Sequence, residues 1–220
     1  MGNKIHTVIF DMDGTLTDSA ILTIAAFRKI APGQGLKEPS EEAIKKAMGN
    51  PTPEFYYLLF PDLPKEAAYD IGILVDQEEL RLLPFLKDEL LFPGCRELLM
   101  LLKKNKIRIF LASTGAKEHV YPILKITGII DLFDTISCGF SDKIKMISEM
   151  AKDGPREGYV MVGDMEKDHA GAKANGIVSV GACFGYCRRE LTTFNYYIDE
   201  PLDLLKIINW GDINAAYNNP

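Results

Sequence analysis

Short apolar runs that end in small or acidic residues, with helical repeats between them, constrain this chain more than any other feature. Val8-Ile9-Phe10 runs into Asp11, 107–111 into Ala112-Ser113-Thr114-Gly115, Tyr159-Val160-Met161-Val162 into Gly163-Asp164, and Ile177-Val178-Ser179-Val180 into Gly181. Uninterrupted apolar strands are buried on both faces, and their alternation with helices implies an α/β chain with a parallel sheet and crossover helices on its faces. Shorter strands are expected near 135–138 and 196–198, and helices over 96–105, 119–126, 143–152, 167–175 and 202–208. In such sheets the ligand crevice lies beyond the carboxyl ends of the strands. If the strands starting at His6, Ile107 and Tyr159 are neighbours, one crevice collects Asp11, Asp13, Ser113, Thr114, Asp164 and Asp168.

Between the first strand and the rest, the pattern changes. Asp18 and Ser19 read as a helix cap, and Ile21, Leu22, Ile24, Ala25 and Phe27 recur at helical spacing. Up to about Leu91 the helical pieces are broken at Pro32-Gly33, Pro39-Ser40, Gly49-Asn50-Pro51 and Pro61 to Pro64, with no strand run among them. The expectation is a small all-helical domain over 17–91, inserted after the first strand of a Rossmann-like core made of 1–16 plus 92–220. Linkers fall near 16–18 and 90–94. The Asn-rich tail over 211–220 is expected to fray.

The 220 residues, 47% hydrophobic and 25% charged, are enough for one substantial core and a smaller domain. A net charge of -6 and a pI near 5.2 argue against a nucleic-acid partner, which calls for a basic face. The stretch before the first strand does not read as a leader and no apolar run approaches a bilayer span, so no membrane association is expected. The start Met1-Gly2-Asn3-Lys4-Ile5-His6 has His where a myristoylation signal needs Ser or Thr. Cys95, Cys138, Cys183 and Cys187 lack C-x-x-C pairing, so free buried thiols in a reducing cytoplasm are expected, and Cys183 with Cys187 lacks the further ligands that zinc demands.

Asp11 and Asp13 repel each other unless a raised pKa, a basic partner or a divalent cation relieves them. Alone, Asp-x-Asp-Gly reads equally as a solvated turn. A calcium loop does not fit, because Leu16 to Ala20 lacks the further oxygen ligands and the closing Glu. Asp164 and Asp168, four apart at a strand-to-helix junction, read alone as a helix cap; combined with Asp11 and Asp13 they make a hard oxygen site suited to magnesium. Ser113 and Thr114 suit phosphate oxygens or, equally, a helix cap. Lys143 and Lys145 open a helix against its dipole, so one of them points at negative charge. Assigning Ile144 and Ile147 to the buried face places Lys143 at the mouth.

Taken jointly, Asp11-x-Asp13-Gly-Thr, the hydroxyl ending the next strand, the lysine opening a later helix and Gly-Asp164-x-x-x-Asp168 resemble the four ordered motifs of the haloacid dehalogenase superfamily. The helical insert stands where subfamily I members carry a cap, and Phe92-Pro93-Gly94 is similar to the return from cap to core. The resemblance, closest to phosphoglycolate phosphatase and β-phosphoglucomutase types, implies an aspartyl-phosphate mechanism. Asp11 would be the nucleophile, Asp13 the acid and base, Ser113 the phosphate anchor and Lys143 the neutralising cation. Mg2+ would be bound by Asp164, supported by Asp168, with Asp11 and the backbone carbonyl of Asp13 as further ligands. Gly14, Thr15, Ser113, Thr114 and Lys143 would surround the substrate phosphate. Lys45, on a segment resembling a loop that such caps lower over the core, would meet an anionic leaving group or simply end a solvated helix. Ile144 departs from the proline that many capped relatives carry.

The implied activity is magnesium-dependent hydrolysis of a small phosphorylated metabolite of the phosphoglycolate or sugar-phosphate type, by a cytoplasmic monomer or weak homo-oligomer with no nucleic-acid or membrane partner. The alternatives are a phosphomutase of the β-phosphoglucomutase kind and a non-catalytic binding relative. The second would have lost a motif acid, and none is missing.

Overall fold

A computed structural model describes residues 5–50, 53–189 and 192–208. Six strands, β1 (Thr7–Phe10), β2 (Arg108–Ser113), β3 (Thr135–Cys138), β4 (Tyr159–Gly163), β5 (Val178–Ala182) and β6 (Tyr196–Ile198), form one sheet in the order β3-β2-β1-β4-β5-β6. Every pairing is parallel. β1 is central, with Val8 opposite both Ile109 and Val160, and all four of its residues are buried. That explains its unbroken apolar sequence: both faces are covered and neither needs a polar side chain.

β2 runs two residues beyond its apolar run, because Ala112 and Ser113 continue the ladder opposite Ser137 and Cys138. Ser113 therefore ends the strand itself. The crossover helices are Cys95–Lys104, Lys117–Ile126, Lys143–Met150 and Glu166–Ala174, with Leu204–Ile208 at the close. One apolar cluster, including Phe10, Leu98, Leu99, Ile109, Leu124 and Val180, fills one side of the sheet, and a second, with Ile9, Phe110, Ile147 and Met161, fills the other.

Among the described residues, 20–86 carry only helices: α1 (Ala20–Ile30), α2 (Glu41–Ala47), α3 (Glu54–Leu59) and α4 (Lys65–Leu86). They enclose a cluster of their own around Phe27, Ile44, Phe55, Tyr56, Phe60 and Val75. Phe27 is fully buried and meets Tyr56 and Phe60 edge-to-face at 6.4 and 5.7 Å. Each such buried side chain contributes roughly 1.5–3 kcal/mol by leaving water.

The chain passes to and from this layer on paired segments. Thr17 bridges Leu91 in antiparallel fashion, Asp18 N donates to Leu90 O at 2.8 Å, and Phe92 N donates to Leu16 O at 3.1 Å.

Two local expectations are corrected. Ser19 precedes α1 but makes no side-chain cap; its hydroxyl donates to Asp13 instead, at 2.5 Å. Ile144 is 48% exposed, and the buried face of the helix after β3 is formed by Lys143, Met146, Ile147 and Met150. The tail and the first four residues lie outside the described residues, as do Pro51 and Thr52 of the segment that follows Lys45. No helix among the described residues is long and apolar enough to cross a membrane. All four cysteines are free; Cys183 is half-buried, with its thiol 3.4 Å from that of Cys187.

Candidate active site

The carboxyl ends of β1, β2 and β4 lie side by side, so the residues that follow them share one crevice. Asp11 N donates to Val162 O at 2.9 Å, which ties the first acid to the neighbouring strand. The chain then turns at Gly14, whose φ of +80° is a left-handed conformation that glycine adopts without steric cost. A Cβ there would collide with Asp164 Oδ2 and with the Tyr186 ring, so close approach also requires glycine. Gly163 has a similar role, since a side chain at that position would occupy the space of the Asp168 carboxylate.

Call the helices after β3 and β4 α7 (Lys143–Met150) and α8 (Glu166–Ala174). Lys143, the first residue of α7, is 4% exposed. Its ammonium lies 2.6 Å from Asp11 Oδ1 and 2.9 Å from Asp168 Oδ1. Burial works against its charge, but Asp11 and Asp168 outweigh burial and hold it protonated above the ordinary lysine range. Lys145 is exposed, and its backbone N–H is capped by Asp142. Asp168, in the first turn of α8, accepts from Met165 N at 3.1 Å. Thr15 donates to Asp164 Oδ1 at 3.1 Å.

Oxygens of Asp11, Asp164 and Asp168 all lie within 4.8 Å of one another. Burial pushes the Asp11 carboxyl up to about 6 despite Lys143. Burial, then repulsion from Asp11 and Asp168, pushes Asp164 well above the usual carboxylate range. Asp164 Oδ2 is buried with no hydrogen-bond partner among the described residues. A buried, unpartnered carboxylate oxygen beside two more acids fits a hard divalent cation, which satisfies the oxygen and relieves the repulsion together.

The other sequence-derived residues fall around this centre. Ser113, 1% exposed, accepts from Gly115 N at 3.0 Å, and Thr114 donates to Gly49 O at 2.8 Å. Neither caps the helix α6 (Lys117–Ile126), whose N-cap is Ala116. Lys45 lies with its ammonium 5.9 Å from the Tyr186 ring centroid, at the boundary between α2 and the core.

Sequence reasoning missed four participants. His119 Nε2 is 3.0 Å from Asp13 Oδ1, and its Nδ1 is 3.5 Å from Glu79 Oε2 on α4. Burial opposes charge on His119, but Asp13 and Glu79 outweigh it and raise the imidazole well above its ordinary pKa. Burial likewise pushes Asp13 up, and His119, Ser19 and Lys167 outweigh it to hold this carboxyl below the usual range. Lys167 donates to Thr114 Oγ1 at 3.2 Å. Tyr186 donates to Asp18 Oδ1 at 2.6 Å and accepts from Ala20 N at 2.9 Å, which fastens the start of α1 to the core. Only Lys167 had a local signal, its place next to Asp168.

Residues 8–182 match the haloacid dehalogenase-like hydrolase family. The chain belongs to that family. It is 24% identical over 219 residues to a phosphoglycolate phosphatase of Synechococcus elongatus, covering 93% of this chain and 97% of that one. A tyrosine-protein kinase, PtkA, of Mycobacterium tuberculosis is 30% identical over 196 residues, covering 86% of this chain and 66% of the relative. Among solved structures, a haloacid dehalogenase-like family hydrolase from Streptococcus pneumoniae superposes with a TM-score of 0.75 at 21% identity, covering 92% of this chain and 98% of that one. The six-stranded parallel sheet with flanking helices is thus the Rossmann-like fold of this family. The chain is a haloacid dehalogenase-like phosphoric monoester hydrolase, similar to phosphoglycolate phosphatases.

Proposed function

We propose that the protein is a magnesium-dependent phosphatase that hydrolyses a small phosphorylated metabolite through an aspartyl-phosphate formed on Asp11. The observation that carries this reading is the buried Asp11 carboxylate, held 2.6 Å from Lys143 beside the unpartnered Asp164 Oδ2. Asp11 attacks phosphorus, and Lys143 offsets the repulsion between its negative charge and that of the phosphoryl group. The proton that the leaving oxygen needs comes through Asp13 from the protonated His119 imidazole hydrogen-bonded to it, and Asp13, oriented also by Ser19, then takes a proton from the attacking water. Gly14, Thr15, Ser113 and Thr114 surround the phosphoryl group at the strand ends.

Magnesium would be held by Asp11, Asp164 with Asp168 in support, and the Asp13 carbonyl, and would supply positive charge to the phosphoryl oxygens. Residues 1–16 plus 92–220 would act as the core and 17–91 as a cap, a division supported by the separate apolar cluster of α1 to α4. Four free cysteines suit a reducing cytoplasm. We take the protein to act as a monomer or weak homo-oligomer.

The test uses p-nitrophenyl phosphate and a hexose 1-phosphate. Phosphate release that needs Mg2+, stops on chelation and returns on adding the ion back is the expected result. Turnover untouched by chelation would remove the metal from this account, and conversion of the hexose 1-phosphate to the 6-phosphate would replace a phosphatase by a mutase.

A further inference from the structure

The cavity between the helical layer and the sheet edge reaches Asp13, on the side where a leaving group would depart from a phosphoryl group on Asp11. Resting on the phosphatase reading above, we infer that this cavity selects phosphate monoesters whose leaving alcohol carries a protonated amine, and disfavours those whose alcohol carries a carboxylate. Asp13 and Glu79 line it from buried positions, and Asp76 and Glu118 from exposed ones. The lining thus carries four carboxylates and one imidazole, His119, which is already shared between Asp13 and Glu79, while Asp76 also accepts from the Tyr56 hydroxyl.

Among the described residues that line the cavity, none is Lys or Arg. Pro51 and Thr52, which follow Asn50 in the chain, carry no charge. Lys167 sits between the two sides: it adds positive charge to Asp11 and Asp13, hydrogen-bonds Thr114 and runs against Gly49 at the cavity rim, without itself lining the cavity. Lys45 faces the Tyr186 ring and lies outside the lining.

A carboxylate brought into this space would exchange water for a wall of mostly like charge, whose one cationic side chain, His119, is already held by Asp13 and Glu79. An ammonium meets the reverse: Asp76 and Glu118 attract it, and further in Glu79 offers an acceptor. Like charge closed off from water is repelled more strongly than in bulk solvent, and opposite charge is drawn in. Leu22, Phe55, Leu83 and Ile123 give the remaining wall an apolar character, which suits the methylenes of a short amino alcohol. The charge of the wall and the position of the cavity are separate observations, and together they specify the ligand end that departs.

Three esters with two-carbon leaving groups isolate the charge: 2-aminoethyl, 2-hydroxyethyl and carboxymethyl phosphate, the last being phosphoglycolate. The expected order of kcat/KM follows that sequence, with steps of roughly tenfold. In the double variant Asp76→Asn, Glu118→Gln, both at exposed positions, the ratio between the first and last esters should shrink by about tenfold. Equal or faster turnover of the carboxymethyl ester, or an unchanged ratio in the double variant, overturns the inference. So does hydrolysis of p-nitrophenyl phosphate with all three short esters left intact. In each of these outcomes the phosphatase reading stands. Failure to hydrolyse p-nitrophenyl phosphate in Mg2+ would instead overturn that reading and the inference with it.

Discussion

At the sheet edge, Asp11, Lys143, Asp164 and Asp168 are each at most 4% exposed and touch or face one another. In the helical layer above, Glu79 is buried but Asp76 and Leu80 are exposed, and the cavity they line opens to solvent. The first region is closed, with charge set against charge. The second is open, and its charge is mostly of one sign. On the proposed reading the difference separates two tasks: a phosphoryl group is the same in every substrate and would be met by a fixed, desolvated set, whereas the leaving group varies and would be met by a wall that has to admit it.

The largest effect should come from the closed region. Asp11→Asn keeps the shape of the side chain but removes the proposed nucleophile, and turnover of p-nitrophenyl phosphate is expected to fall by roughly a thousandfold or more with the circular dichroism unchanged. Comparable turnover would take Asp11 out of its role. Next, Lys143→Met strips the cation from two buried carboxylates and should cost about 3–5 kcal/mol in urea unfolding, besides activity. Lys145→Met, two residues on and exposed, should stay within about 0.5 kcal/mol. Equal losses at the two positions would erase the distinction between the closed site and the surface.

A smaller effect joins the regions. His119→Gln loosens Asp13 and its tie to Glu79, so alkyl phosphates, whose departure needs a proton, should slow by roughly 10–100-fold. p-Nitrophenyl phosphate, whose leaving group needs little help, should slow far less. A uniform loss across both would make His119 merely structural.

A modest effect on stability lies away from both regions. Burial pushes the Asp134 carboxyl up, but Lys103 and the Ile109 N–H outweigh it and hold it below the usual range. A depressed folded pKa adds stability above the unfolded value of about 3.9, and that stability fades as pH falls through the folded value. Asp134→Ala should therefore cost about 0.5–1 kcal/mol at neutral pH, reduced by solvent screening, and the gap to the parent should close on acidification.

The sheet was legible because strands buried on both faces cannot hide their composition: Val8-Ile9-Phe10 and Tyr159 to Val162 are apolar without a break, and the acids that follow them sit at fixed offsets. The helical layer was legible as helices through its prolines and glycines, but its chemistry was not. His119 and Asp13 are 106 positions apart, and Glu79 reaches His119 from another helix altogether. Nothing in the local spacing marks such a trio. Ser19 shows the opposite failure, a residue whose position suits a cap and whose hydroxyl is drawn to a nearby carboxylate. Ile144 was misread for a similar reason, because Lys143 takes the inward place that an apolar residue would normally hold.

The antiparallel bridge between Thr17 and Leu91 means that residues 18 to 90 leave and rejoin the sheet through neighbouring backbone. Under the proposed division into core and cap, splicing those two points with a tight turn is expected to leave strand order and register intact once the apolar surface that Leu22 and Leu83 cover in the core cluster is made polar. Exchanging the helical layer for another of different charge is the direct way to retune which alcohols the same strand ends release.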